Sequence, residues 1–275
     1  MDFTFCKTAL VTLGDSLDEK PDPCKFEKHC HTKYELLYIV KGSGKCIVEG
    51  TEYPLSDGAV FLLRPFEYHY VCPDPESPYE RYVFNFKESV LYGGVRELPM
   101  LSSKSQGIYF SPPSAGVNFC NAISNAEEFF KKNDPKGAQS EAMTITLVNQ
   151  LLLLLAEKAP QEALSDDKTL INGIIDYLNE NLGEKISLDE TAKTFFISKY
   201  YLCRLFKKHT GVSMLAYLNS KRIAKARHLI ASGERATAVA YAVGFHDYSS
   251  FYRAYVKETG KPPTVSKQNA DHKTT

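Results

Sequence analysis

Four side chains near the start of the chain are of the types that hold metals. The segment HCHTKYELLYIVKG carries His29, His31 and Glu35, and His69 closes the later segment DGAVFLLRPFEYH. Imidazoles joined by one carboxylate form a ligand set for a divalent transition metal. On an extended strand, positions i and i+2 share a face, so His29 and His31 can both aim into a barrel. Taken alone, this set suggests a metal-dependent enzyme. It is also compatible with an effector pocket or with histidines that only satisfy the local structure. Tyr34, Tyr38, Arg64, Tyr68 and Tyr82 add polar-tipped aromatics and a charge, the lining that a sugar or a similar polar ligand uses, although structural tyrosines would look the same.

A second constellation occurs twice. Residues 201–211 read YLCRLFKKHTG and residues 250–260 read SFYRAYVKETG, which sets Arg204 and Arg253 49 positions apart. In both, an apolar residue precedes Arg by two places, an aromatic follows it by two, a Lys follows by four, and Thr-Gly ends the stretch. As helices, these stretches bury Leu202, Leu205 and Phe206 in one copy and Phe251 and Tyr255 in the other. The opposite faces then present Lys199, Tyr200, Cys203 and Arg204, and Tyr248, Ser249, Tyr252 and Arg253. Arg binds guanine bidentately, whereas Lys207, Lys208 and Lys257 suit phosphates. Cys203 offers either an apolar contact for a thymine methyl or a half-buried packing thiol. The bland reading is two solvated amphipathic faces. Repetition inside a strongly basic segment argues against it: residues 168–275 hold 17 Lys and Arg against 9 Asp and Glu, a balance of +8, while residues 1–167 balance at −8. An acidic front and a basic back suggest two jobs, the second directed at a polyanion.

These groups need elements to carry them. A chain of 275 residues suits two domains. Its 43% hydrophobic and 24% charged content is that of a globular protein. MDFTFCKTALVT has no secretory-leader pattern and the run from Leu151 to Ala156 is far short of a membrane span, so a cytoplasmic protein with no membrane partner is expected. Seven cysteines without a repeated spacing argue for reduced thiols. Residues 34–86 read as short strands (YELLYIV, GKCIVEG, AVFLL, ERYVFNF) separated by GSG, EGTEYPLSDG and PDPESP, which suggests an antiparallel sandwich or barrel. From about residue 116 the texture is helical. In the helix at 140–158, Met143, Leu147, Gln150, Leu151 and Leu154 form a stripe that either pairs two copies or packs on the barrel. APQEALSDD at 159–167 reads as a linker. The remainder, 168–275, reads as all-α. Ser187 with Glu190 forms a capping box, Ser198 and Asp247 are N-caps, and Gly211 and Gly233 end helices. Each half is a short helix, a turn and a second, basic helix, the helix-turn-helix arrangement.

At this point the residues resemble a known family, the AraC/XylS class of bacterial transcription regulators, over about 100 residues from Ile174 to Lys267. The diagnostic stretches are ISLDETAKTFFISKYYLCRLFKKHTGVSMLAYLNSKRIAKARHLI and AVGFHDYSSFYRAYVKETGKPP. The resemblance implies two helix-turn-helix units joined by one long helix, with recognition helices about one DNA turn, roughly 34 Å, apart. It also implies an N-terminal cupin-like β-barrel over 1–115 that binds a small-molecule effector. The barrel spacing is similar to the cupin motif H-x-H-x3-E-x6-G and, less completely, to G-x5-P-x-G-x2-H, where Gly58 and His69 fit but Arg64 and Phe66 stand at the Pro and Gly positions. Regulators of this class often keep the first motif without a functional metal, so no cofactor is expected. His29, His31, Glu35, Tyr38, Arg64, His69 and Tyr82 are then effector-binding candidates. The implied partners are double-stranded DNA, the effector, a second copy of the chain through residues 116–158, and RNA polymerase. The protein is then expected to be an α+β multidomain regulator, not an enzyme. Three departures stand out. Phe196 replaces the first unit's turn glycine, Ala236 and Ala238 replace the second unit's usual Ile and Glu, and Ser266-Lys267 replaces the closing Tyr-Arg. A weakly capped and poorly packed second unit is expected, with the first unit binding more firmly.

Overall fold

The computed structural model describes residues 2–26, 28–101, 109–110, 116–156 and 168–264. The proposed linker 159–167 and the pair Ser266-Lys267 lie outside them. The chain divides into two compact units, Met1–Ser165 and Asp166–Thr275.

Among the described residues the first unit carries nine strands. β1 (Asp2–Lys7), β2 (Val11–Asp18), β3 (Tyr34–Lys41), β6 (Val60–Leu63), β8 (Tyr79–Phe86) and β9 (Tyr109–Phe110) form one sheet, in the order β1-β2-β8-β3-β6-β9. β4 (Gly44–Val48), β5 (Thr51–Leu55) and β7 (His69–Pro73) form a second, in the order β5-β4-β7. The paired strands of both sheets run antiparallel among the described residues. This is the expected cupin-like sandwich, with more strands than the sequence suggested. EGTEYPLSDG is not one turn, since its middle is β5. The reversal is confined to Glu49 and Gly50, whose φ values of 49° and 77° fit a two-residue hairpin between the paired Val48 and Thr51.

Alternation along β3 sorts two cores. Leu37 and Ile39 join Cys46, Val48, Tyr53, Leu55, Phe61 and Tyr79 between the sheets. Leu36 and Tyr38 join Leu13, Phe84 and Phe86 on the outer face of the large sheet. There α2 (Gly116–Lys132) and α3 (Ala138–Ala156) cover them, through Phe119, Ile123, Phe130, Leu147, Leu151 and Leu155. A short α1 (Gly93–Arg96) precedes these two. The apolar stripe of α3 is therefore core: Leu147 and Leu151 are buried, and Met143 and Leu154 pack against the same cluster. Of the residues offered for pairing two copies, Gln150 is exposed, and Leu153 beside it is half-exposed.

The second unit is helical: α4 (Lys168–Glu180), α5 (Leu188–Thr194), α6 (Lys199–Thr210), α7 (Met214–Ala231), α8 (Ala236–Ala242) and α9 (Tyr248–Thr259). α4 buries Ile171, Ile174, Ile175 and Leu178. Ser187, Ser198, Ser213 and Asp247 each accept a hydrogen bond from the backbone N–H three residues on, which fixes the starts of α5, α6, α7 and α9. Gly211 and Gly260 end α6 and α9 in the left-handed region. α8 has no side-chain cap, as its sequence indicates. It is nevertheless well packed: Val239 and Ala240 are fully buried among Ile223, Ile230, Phe245 and Phe251. No helix among the described residues is long and apolar enough to cross a membrane.

Candidate nucleic-acid interface and barrel histidine cluster

The repeated sequence folds into a repeated structure. In the first turn, Phe196 N–H donates to the Lys193 carbonyl and Ile197 N–H to that of Ala192. In the second, Gly244 N–H donates to the Tyr241 carbonyl and Phe245 N–H to that of Ala240. Phe196 and Gly244 thus occupy one position of the repeat, and both have positive φ, 54° and 94°. The left-handed turn is kept although the first unit has lost its glycine.

On α6, Leu202 and Phe206 are fully buried and Leu205 is half-buried. Lys199, Tyr200, Cys203, Arg204, Lys207 and Lys208 are all exposed, with Tyr200 at 77%. On α9, Phe251 and Tyr255 are buried while Ser249, Tyr252, Arg253 and Lys257 are exposed. Tyr248 departs from the expected face. It is half-buried, its ring 5.8 Å from that of Phe251. Lys199 pairs with Asp189 at 2.8 Å, both groups exposed, so a phosphate can displace the carboxylate at little cost. The Arg204 guanidinium lies 6.0 Å from the centre of the Tyr201 ring, and Arg253 donates to Ser250 Oγ at 3.3 Å.

Both basic helices are positioned from one turn of α7. The Phe206 ring of α6 meets Tyr217 edge-on at 5.4 Å, and Tyr217 Oη donates to Asn179 at 3.2 Å. Three residues on, Ser220 Oγ donates to Glu258 of α9 at 2.7 Å. Positions i and i+3 share a helix face, so α6 and α9 are gauged from adjacent points of the same rod. Arg222 is buried at 7% exposure and donates to the carbonyls of Leu182 (2.9 Å) and Glu184 (2.7 Å), tying down the loop between α4 and α5. Sequence reasoning missed Tyr217, Ser220 and Arg222. Arg222 reads as one more solvated cation of a basic segment, and only its place on the inward face of α7 shows otherwise.

In the first unit, His29, His31 and His69 come together. One ring nitrogen from each lies within 4.8 Å of the others. His29 and His31 are not on a regular strand as expected; His29 forms an isolated bridge to His69 that brings the rings to 4.6 Å. Glu35 enters from β3, its carboxylate 3.1 Å from His31 Nε2. Burial works against its charge, but the His31 hydrogen bond and the neighbouring imidazoles outweigh that and hold its pKa below the usual carboxylate range. Burial pushes His69 down to about 4 against the opposing pull of Glu35.

The remaining effector candidates do not join this cluster. Tyr38 and Tyr82 sit on the opposite face of the sheet, stacked at 6.3 Å, with the Tyr82 hydroxyl donating to Glu127 of α2. Strand alternation is the cause, because Glu35 and Tyr38 are three residues apart on β3. Arg64 is buried and donates to Glu67 at 2.6 Å. Tyr34 stacks on Phe86 at 5.4 Å and Tyr68 donates to the Lys28 carbonyl. All seven cysteines are free thiols, and Cys203 is exposed.

Comparison with known proteins gives concordant matches for both units. Residues 22–165 match the AraC-like ligand binding domain and residues 191–269 match a helix-turn-helix domain. The chain is similar to the HTH-type transcriptional activator RhaS of Enterobacter sp., 27% identical over 254 residues that cover 90% of this chain and 89% of the relative. The protein of the same name from Salmonella arizonae is 25% identical over 249 residues, with the same coverage. Among solved structures, ToxT from Vibrio cholerae is 15% identical, covering 94% of this chain and 96% of ToxT, with a TM-score of 0.40.

Proposed function

We infer the function from one premise: the chain belongs to the AraC family of transcription regulators. It is a sequence-specific DNA-binding regulator controlled by a small-molecule effector bound in its first unit. The reading proposed beyond this is that Arg204 and Arg253 read bases from α6 and α9, with Tyr200, Cys203, Ser249 and Tyr252 beside them. Lys199, Lys207, Lys208 and Lys257 hold phosphates, and half-buried Tyr248 supports α9 rather than touching DNA. The observation that carries this is the pair of matching exposed cationic faces set from Tyr217 and Ser220 of one helix. Reading two successive major-groove segments explains why the pattern is repeated: one chain holds both readers.

Effector binding and DNA binding are then two coupled equilibria. Activation is the direction proposed, in keeping with the activator relatives, and RNA polymerase is then the downstream partner, in the cytoplasm. Two copies act together on this reading, which sedimentation of the purified protein checks. The effector is proposed to enter on the polar side of the barrel where the histidines lie. Genome-wide mapping of bound sites tests the reading as a whole. Discrete sites upstream of genes support it, and uniform salt-sensitive coverage contradicts it.

A further inference from the structure

We propose that His29, His31, His69 and Glu35 hold a divalent transition metal ion in the first unit. The inference rests on ligand geometry and stands independently of the DNA-binding reading. His69 is 4% exposed, and its Nδ1–H donates to the Glu67 carbonyl at 2.8 Å. That bond fixes the tautomer and leaves the Nε2 lone pair free; Nε2 is buried and has no hydrogen-bond partner. A buried acceptor left this way is expensive unless a donor or a cation meets it.

His31 has the complementary problem. Its Nδ1 faces the Lys33 carbonyl at 2.9 Å and its Nε2 faces Glu35 Oε2 at 3.1 Å. Both are acceptors, so the neutral ring, with its single proton, satisfies only one of them. A cation set among His31 Nε2, Glu35 Oε2 and His69 Nε2 satisfies all three at once. It also uses the backbone carbonyls as the outer partners that orient metal-bound imidazoles.

Size and access agree. Around an ion with bonds of about 2.0–2.1 Å, neighbouring tetrahedral ligands stand roughly 3.3 Å apart. The three ring nitrogens lie within 4.8 Å of one another, so side-chain rotation closes the site. The His31 and Glu35 side chains are 20% and 14% exposed, which leaves a path from solvent. Imidazole-rich ligation selects ions such as Zn2+, Ni2+, Co2+ or Fe2+ over Mg2+ or Ca2+.

The test is titration of the full-length, chelator-stripped protein with Co2+ as the probe, followed by its visible ligand-field absorption. The expected result is saturation at one equivalent, without the near-ultraviolet band of cobalt–thiolate bonds, and competition by Zn2+ but not by Mg2+. His31→Gln and His69→Asn should each weaken Co2+ binding at least about 10–100-fold, the range for losing even an outer-shell partner. Tyr38→Phe, on the far side of the sheet, should leave it unchanged. Far-ultraviolet circular dichroism of each variant shows that the fold survives; where one histidine variant fails to fold, the other decides. Absence of saturable binding, a cobalt–thiolate spectrum, or unchanged affinity in a folded histidine variant would each overturn the proposal.

Discussion

Phe196 and Gly244 fill one position of a repeat with different residues, and exchanging their characters should have opposite effects. Gly244 has φ +94°, and a Cβ added there would stand 2.7 Å from the Leu182 carbonyl oxygen and 2.9 Å from Arg222 Cζ. Gly244→Ala meets a left-handed penalty of about 1–2 kcal/mol. It also forces Arg222 aside, and Arg222 holds the Leu182 and Glu184 carbonyls. A hydrogen bond from a charged donor contributes roughly 1.5–3 kcal/mol, so losing one brings the total to about 2.5–5 kcal/mol. Phe196 takes the same left-handed backbone but is 97% exposed, so its side chain gives up no packing when removed. Phe196→Gly relieves about 1–2 kcal/mol of strain, opposed by roughly 0.5–1 kcal/mol of added unfolded-chain entropy. The net is a gain of about 0–1.5 kcal/mol. Urea unfolding followed by far-ultraviolet circular dichroism measures both, provided the m-value is unchanged. A Gly244→Ala variant as stable as the parent, or a Phe196→Gly variant less stable by more than about 1 kcal/mol, would refute the reasoning.

Arg204→Ala should cost about 1–3 kcal/mol on cognate DNA and relax preference at one base pair, whereas Lys208→Ala should weaken all sequences similarly and reduce the salt dependence; fluorescence anisotropy on cognate and scrambled duplexes separates the two. Ser198→Ala removes the oxygen that caps α6 through Tyr201 N–H and should lower stability by about 1 kcal/mol, read as a fall in the urea midpoint. Asp15 is a third case, its pKa raised by burial and then by the charges of Glu80 and Glu127. A carboxyl raised in the folded state favours folding while protonated, and that contribution is lost as pH rises through its folded pKa. Asp15→Asn should therefore raise the melting temperature at neutral pH and lose that advantage below the ordinary aspartate range; a variant no more stable at neutral pH contradicts this.

Much of this was legible because periodicity and caps are local. The inward residues Leu202, Phe206 and Phe251, the caps Ser187, Ser198 and Asp247, and the closing glycines follow from spacing alone. What escaped depended on neighbours distant in sequence. β1 becomes a strand by pairing with β2, and β2 by pairing with β1 and β8, while β5 lies within a segment that reads as one long turn. Tyr38 and Tyr82 have the polar-tipped aromatic character of a pocket lining, but alternation along β3 puts Tyr38 on the face opposite Glu35, and Tyr82 stacks on it there. Phe66 and Phe196 stand where the motifs carry glycine, yet both adopt positive φ, 66° and 54°. The backbone shape outlasts the residue that ordinarily permits it, because the surrounding hydrogen bonds over-determine it. The stripe on α3 could pack inward or outward, and only the apolar outer face of the large sheet decides that it packs inward.

The central claim is that α6 and α9 each lie in their own major-groove segment. Hydroxyl-radical footprinting of the full-length protein on a bound site, repeated with Arg204→Ala and Arg253→Ala, tests it most directly. Two protected segments centred about one helical turn apart, roughly 10 base pairs, are predicted, with each substitution weakening mainly its own segment. One protected segment, or two that respond identically to either substitution, would contradict it.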